Sequence, residues 1–494
     1  MIYPQNKVHI SLPLPTKIKV IFCYLCQNQK RHMTLIKSIS GIRGTIGGAI
    51  SDNLTPIDVV KFASAYAQFI KNRTQKKDIK LVIGRDARLS GQMVANLVNG
   101  TLIGMGVDVI DVGLSTTPTV ELAVPMEKAD GGIIITASHN PKQWNALKLL
   151  NEKGEFISGK EGEELISIAD AGTYTYVPVD ELGSVTTNDT YLQKHIQSVI
   201  NLKLVDKEAI KQAGFKVVVD AVNSTGGIFI PSLLEELGVE VIKLYCDPTG
   251  HFPHNPEPLA ENLTEISSLV VEQKADLGIV VDPDVDRLAF VCNDGSMFGE
   301  EYTLVAVADF VLKHTPGNTV SNLSSTRALS DVTVANGGNY FASAVGEVNV
   351  VEKMKAEKAI IGGEGNGGII YPESHYGRDA LVGIGLFLTQ LAYEKISSKE
   401  LRDSYPTYEM SKNKIELTPE IDVDDILVKM KEKYKHERVN DIDGVKIDFA
   451  EEWVHLRKSN TEPIIRVYSE SKTKESAARI AQKVMEDIHE IINN

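Results

Sequence analysis

The sequence predicts an α/β protein: three homologous α/β domains with mixed sheets, followed by a C-terminal α+β domain, around a central cleft. Three observations carry this expectation. Strand and helix signals alternate from about residue 35 to about residue 400. Within that span KADGGIIIT (128–136) and KADLGIVVD (274–282) are nearly the same string, and KAIIGGEGNGG (358–368) is a looser third copy. Beyond residue 400 the alternation stops, and segments such as PTYEMSKNKIEL and DGVKIDFAEEWVHLRKSNTEPIIRVYSES read as exposed antiparallel strands.

Taken in order, residues 1–32 differ from the rest of the chain. KIKVIFCYLC (17–26) is a short apolar stretch without a clear small-residue cleavage site, whereas MTLIKSISGIRG from Met33 reads as a first strand. The expectation is a start-site extension or disordered tail over 1–32. The first α/β domain is placed at 33–180, the second at 181–297 and the third at 298–402. Each repeated strand is preceded by a partner: GVDVIDVG (106–113), GVEVIKLY (238–245) and GGNYFASAVG (337–346). Helical segments at 91–104, 228–237 and 262–273 separate them. A spacing of roughly 100–150 residues is too long for a solenoid, so the repeats read as whole domains. The last domain spans 403–494 and ends in an amphipathic helix at 473–492.

Composition bounds the function. With 43% hydrophobic and 24% charged residues the chain is that of a globular protein. A net charge of −14 argues against nucleic-acid or anionic-membrane partners, which attract cationic surfaces. A small phosphorylated substrate stays open, because a few local arginines capture one phosphate whatever the global sign. Cys23 and Cys26 form a CxxC without a second ligand pair, and Cys246 and Cys292 lie in strand-like segments, so neither a disulfide scaffold nor a zinc site is expected. No apolar run reaches the ~18 residues of a membrane span. The expected location is cytoplasmic.

The informative residues come after the repeated strands, since an open α/β sheet binds ligands at its strand ends. After the first comes TASHNP, after the second DPDVDR, and the third runs into GEGNGG. If the backbone stays extended, Asp282, Asp284 and Asp286 point to one side. Three unpaired carboxylates repel one another and call for a cation, and oxygen ligation suits Mg²⁺; the alternative is a solvated acidic turn. Arg287 adds a phosphate-sized donor. In RKSNTEPIIR, residues Arg457, Ser459, Asn460, Thr461 and Arg466 match the acceptors of a phosphate monoester, or else stabilise a hairpin turn. The glycines of GGEGNGG let the backbone approach a ligand that Glu364 and Asn366 would face, though a plain glycine turn reads equally well. Arg43 in SGIRGTIGG could contact a charged ligand, Ser90 could cap the helix that begins at Gly91, and Arg85 could simply pair with Asp86. Ser138 is the remaining question. Serine is a weak nucleophile without a base or metal nearby, and no GxSxG elbow surrounds it. A serine facing three carboxylates and a metal is better placed to carry a phosphoryl group.

Together these residues resemble the α-D-phosphohexomutase family over 33–494, with five signatures in order: GIRG, TASHNP, DPDVDR, GEGNGG and RKSNTEPIIR. The resemblance implies four domains in a heart-like arrangement around a cleft. It implies a phosphoserine at Ser138, with one Mg²⁺ per chain held by that phosphate and by Asp282, Asp284 and Asp286. Phosphoryl transfer to a hexose monophosphate would form a hexose 1,6-bisphosphate, the intermediate and activator, which turns over and returns its other phosphoryl group. Lys148 and Arg43 become the proton-handling candidates, with His139 and Arg287 in support. Glu364 and Asn366 would bind sugar hydroxyls, with Gly346 and Glu347 adding contacts, and Arg457, Ser459, Asn460, Thr461 and Arg466 would grip the non-transferring phosphate. The implied partner is a small phosphosugar, for a monomer or homodimer.

Two departures matter. The sugar loop is often GE-x-S-G-H in bacterial members, whereas Asn366 and Gly368 stand here in place of serine and histidine, which bears on sugar specificity. Ala146 also replaces the usual glycine before the lysine of WNALK. The GEGNGG…GRD form resembles phosphoglucosamine or phosphomannomutase members of the family and points first to glucosamine phosphate, with mannose or glucose phosphate next. The competing readings are an aspartate-nucleophile phosphatase and a phosphosugar-binding protein without turnover; the mid-chain position of DPDVDR disfavours the first, and the intact serine and aspartates the second.

Overall fold

The computed structural model describes residues 33–38, 41–417, 421–458 and 464–493. The expected extension 1–32, with Cys23 and Cys26, lies outside them. The first unit contains β1 (Ile36–Ser38), β2 (Gly41–Thr45), β3 (Ile79–Arg85), β4 (Val107–Leu114), β5 (Gly131–Ile135), β6 (Trp144–Leu150) and β7 (Val185–Thr187). The second contains β8 (Lys216–Asp220), β9 (Glu240–Leu244), β10 (Leu277–Val281) and β11 (Leu288–Cys292). The third contains β12 (Thr319–Asn322), β13 (Tyr340–Ser343), β14 (Ile361–Glu364) and β15 (Gly368–Ile370).

The first sheet runs β1-β2-β6-β5-β3-β4-β7, the second β11-β10-β8-β9 and the third β13-β12-β14-β15. Set aside the three edge strands of the first sheet, and every unit has one plan. Its first strand lies parallel to its second and third, and its third forms an antiparallel hairpin with its fourth. In each unit, helices follow the first and second strands. The repeated strings are therefore equivalent strands, β5, β10 and β14, and the loops after them are equivalent hairpin tips. β5 and β10 are buried along their whole length, as continuous Ile/Val runs require when both faces are covered. Because β7 completes the edge next to β4, the first sheet runs past residue 180.

The second and third units share one continuous core, which stretches from Ile196 to Tyr405. At its centre Phe290 stacks on Phe387 with ring centroids 3.9 Å apart, and Phe298 meets Phe387 edge-on at 5.2 Å. The first unit has its own core around Phe62, Tyr66 and Ile133.

The C-terminal unit is a five-stranded antiparallel sheet in the order β16-β20-β19-β18-β17, made of β16 (Glu409–Glu416), β17 (Arg438–Asn440), β18 (Val445–Asp448), β19 (Trp453–Lys458) and β20 (Ile464–Ser471). Helices Val423–Lys433 and Lys474–Asn493 cover one face. The strands are antiparallel as expected, but β19 is not exposed: Trp453 through Leu456 are all buried. The third unit covers the other face, where His455 Nδ1 meets Ser324 Oγ at 2.9 Å and Lys446 Nζ donates to the Leu323 carbonyl at 2.9 Å. No helix among the described residues is long and apolar enough to cross a membrane.

Candidate active site

Ser138 sits in the β5–β6 tip with a left-handed backbone (φ +49°) and 7% exposure. Its neighbours hold that conformation, which a non-glycine residue adopts only at a cost. Ser138 N donates to Thr136 Oγ1 at 2.9 Å, and Thr136 Oγ1 donates to Asp86 Oδ2 at 2.7 Å. Arg88, fully buried, donates to Asp86 and to the carbonyls of Ser138, Asn140, Pro141 and Trp144. Asp86 thus pairs with Arg88 rather than Arg85, whose guanidinium reaches the Asp86 carbonyl and Gln92 instead. Ser90 makes no cap with its side chain; it accepts from Asn145 Nδ2 at 2.9 Å and so braces the same hairpin.

Across from this tip, Ser138 Oγ donates to Asp282 Oδ2 at 2.7 Å. Asp282, Asp284 and Asp286 are all fully buried, and one ligand oxygen from each lies within 4.8 Å of the others. They converge through a tight turn rather than an extended strand. Val285 takes φ +64°, and the Asp286 and Arg287 amides donate back to Asp282 Oδ1 at 3.2 and 3.1 Å. One oxygen of Asp284 accepts from Thr117 Oγ1 at 2.6 Å and Lys148 Nζ at 2.7 Å; one oxygen of Asp286 accepts from Arg378 Nη2 at 2.7 Å and Lys148 Nζ at 3.2 Å. The other oxygen of each, Oδ1, is buried without a hydrogen-bond partner. Burial, followed by the charges of Asp284 and Asp286, pushes Asp282 well above the usual carboxylate range. Burial pushes Asp284 the same way, but Lys148 and Thr117 outweigh it and hold that carboxyl below its ordinary value. Two orphaned carboxylate oxygens beside a third carboxylate fit a hard divalent cation.

The positive groups lie beside His139. Arg43 Nε and Arg287 Nε are both buried without hydrogen-bond partners. Burial, then the neighbouring Arg287, lowers Arg43. Burial and Arg287, against the pull of Asp284, drive His139 well below the ordinary imidazole value, so it is neutral at physiological pH. Its Nδ1 is 3.4 Å from Ser138 Oγ. Lys148 differs: burial lowers it, but Asp284 and Asp286 more than compensate, and it stays an ammonium. Of the proton-handling candidates, His139 is the one held neutral.

The third tip joins them through a residue the sequence did not single out. Arg378, buried, contacts Asp286 in the second tip, Glu347 (Nε to Oε2, 3.0 Å) and Glu364 (Nη1 to Oε2, 3.3 Å). Glu364 Oε1 accepts from Asn322 Nδ2 at 2.9 Å and from Gly346 N at 3.2 Å. Asn366 Oδ1 accepts from Gly368 N at 3.2 Å, within its own turn. Behind the tips a buried chain links three units: Thr119 to His195, His195 to Asp379 (2.9 Å), Asp379 to His375 (3.1 Å). Arg88 lies in IGRDARLSG (83–91) and Arg378 in GRD (377–379), strings that gave neither residue a role; Thr117 and this chain carry no motif. In the C-terminal unit Arg457 and Arg466 are direct cross-strand partners on β19 and β20, and Arg457 Nε lies 3.2 Å from Asp443 Oδ2. Ser459, Asn460 and Thr461 lie outside the described residues.

The chain matches the four successive domain families described as phosphoglucomutase/phosphomannomutase: α/β/α domain I over 35–175, domain II over 190–295, domain III over 299–408 and the C-terminal domain over 421–487. It is 35% identical over 441 residues to a phosphoglucomutase/phosphomannomutase of Thermococcus kodakarensis, covering 88% of this chain and 95% of that one. It is 32% identical over 451 residues to a phosphoglucosamine/phosphogalactosamine mutase of Sulfurisphaera tokodaii, covering 89% and 97%. Among solved structures it resembles a phosphoglucomutase/phosphomannomutase family protein from Burkholderia thailandensis, with TM-score 0.79, 25% identity and coverage of 93% and 96%.

Proposed function

We infer, for a chain that belongs to the phosphoglucomutase/phosphomannomutase family and is therefore a phosphohexomutase, that Ser138 carries the phosphoryl group and that glucosamine phosphate is the preferred substrate. One observation supports the site assignment above all. Around Ser138 and its neighbour His139 lie two orphaned guanidinium nitrogens, of Arg43 and Arg287, and two orphaned carboxylate oxygens, of Asp284 and Asp286. A phosphoseryl group with a divalent cation offers acceptors to the first pair and positive charge to the second.

In the forward half-reaction the free hydroxyl of a hexose monophosphate attacks the phosphorus on Ser138. The Ser138 Oγ–P bond breaks, Oγ takes up a proton and as a hydroxyl donates again to Asp282, and a hexose 1,6-bisphosphate forms. The attacking hydroxyl loses its proton to a nearby base; His139, neutral, is suited to accept it, while Lys148, an ammonium, is suited to donate. The bisphosphate then presents its other phosphoryl group to Ser138, and the reverse transfer releases the isomeric monophosphate. Asp282, Asp284 and Asp286 would hold Mg²⁺, which supplies charge neutralisation for the transferring phosphoryl. Arg457 and Arg466, like charges opposed across two strands, gain from a dianion between them. We assign them, with Ser459, Asn460 and Thr461, to the non-transferring phosphate, and Glu364, Asn366, Gly346 and Glu347 to the sugar.

The amino-sugar preference draws support from the name of the Sulfurisphaera relative. The name of the Thermococcus relative keeps glucose and mannose phosphates as the second reading. Two measurements test this. Peptide mass spectrometry after incubation with hexose 1,6-bisphosphate should place phosphate on Ser138, and Ser138→Ala should lose turnover by at least ~10³-fold with an unchanged circular-dichroism spectrum. Phosphate on another residue, or an active alanine variant, would refute the assignment. Coupled assays with glucosamine, mannose and glucose 6-phosphates rank the sugars.

A further inference from the structure

Gly368 opens β15. A Cβ built on it would lie 2.3 Å from Arg378 Cδ, 3.0 Å from Arg378 Cγ and 3.2 Å from Asn366 Oδ1. The arginine side chain therefore runs directly over the bare Cα, and only glycine leaves that path open. At the end of the path the guanidinium contacts three carboxylates from three segments: Asp286 of the DPDVDR turn, Glu347 at the start of helix Glu347–Glu357, and Glu364 at the end of β14. The Arg378 amide donates to Glu347 as well, at 3.0 Å. The next residue, Asp379, caps helix Ala380–Glu394 through the Leu381 and Val382 amides and is held by His195 and His375, so the base of Arg378 is fixed.

We propose that Arg378 is a positioning residue for the mutase reaction, standing where Gly368 gives up a side chain. It holds Asp286 Oδ2 and leaves Oδ1 as the ligand oxygen, and the same guanidinium ties Asp286 to Glu364. The geometry of the cation site and that of the sugar loop are thereby set by one group. This rests on the reading of Asp282, Asp284 and Asp286 as a cation site. A planar fork reaches three carboxylates at once; a lysine ammonium does not.

Removing the charge altogether would by itself strengthen attraction for a cation, so the test keeps the charge and moves it. Arg378→Lys keeps one positive charge with different geometry. Gly368→Ala leaves Arg378 in the chain and displaces it. Mn²⁺ binding, followed by electron paramagnetic resonance on the purified full-length protein, should be one ion in the wild type and about tenfold weaker in both variants. KM for the sugar phosphate should rise several-fold, because Glu364 is released. Mn²⁺ affinity and KM within twofold of wild type in Gly368→Ala overturn the proposal even if Arg378→Lys fails to fold. A wild type that binds no Mn²⁺ overturns the cation reading itself, a result distinct from equal binding by wild type and variant.

Discussion

Arg88 directs its guanidinium to the loop that carries Ser138 and exposes almost none of it. Its replacement leaves Asp86 buried without its counter-charge and takes the Arg88 donors from several loop carbonyls, so Arg88→Ala should destabilise the first unit by about 3–5 kcal/mol. Arg88→Lys should keep the charge, hold fewer carbonyls and slow phosphorylation of Ser138 more than it lowers the melting temperature. Calorimetry with time-resolved mass spectrometry separates the two effects; wild-type behaviour in both variants would show that the loop keeps its shape without Arg88. Ser138 and the three aspartates were legible in the sequence because each follows a strand whose string repeats. Arg88 and Arg378 were not, because what they hold lies 50 and 92 residues away, at Ser138 and Asp286. A side chain's distant partner leaves no local periodicity. The pairing of Arg85 with Asp86 that adjacency allowed shows the same limit: Arg88, two positions beyond Asp86, makes that ion pair instead.

At the scale of elements, the repeated third strands and their partners were readable because an apolar strand between turn residues has few other fates. The burial of β19 was not, because alternation shows one face and cannot show that another unit covers the second. His455 on that covered face makes the docking sensitive to acid. Its Nε2 donates to the Asp443 carbonyl and its Nδ1 accepts from Ser324, as a neutral ring requires, and burial, reinforced by Lys446 against the Asp443 bond, pushes it down to about 4. The ordinary unfolded value is about 6.5. Between these values the unfolded chain binds more protons than the folded one, so this contribution is whole above pH 6.5 and is lost as pH falls towards 4, by up to ~3 kcal/mol. The thermal transition of the C-terminal unit should therefore fall more steeply between pH 7.5 and pH 5 in the wild type than in His455→Gln. Equal slopes would mean that the imidazole titrates freely in the folded state.

For the whole molecule, the shared core of the second and third units predicts that calorimetry records them as one cooperative transition, since Phe290 and Phe387 belong to different units and stack. Two separate transitions would contradict that core. The three aspartates add a second link, because Asp282, Asp284 and Asp286 come from the second unit while Ser138, Lys148 and Thr117 reach them from the first. Mg²⁺ at a hundred times its dissociation constant should stabilise this junction by ~2.7 kcal/mol. EDTA should reverse the effect, and Asp284→Asn with Asp286→Asn should abolish it; a shift that survives in the double variant would locate the cation elsewhere. The common strand order has a further consequence, for descent. Tips of unequal length, at 136–143, 282–287 and 365–367, hang from one common hairpin. After a duplication, one copy could surrender whatever its tip once did while a sister retained it, and each unit would still reach its neighbours, as Ser138 and Arg378 reach the aspartates here. A division of labour among siblings of this kind asks for new letters at a turn, and leaves the scaffold's grammar untouched.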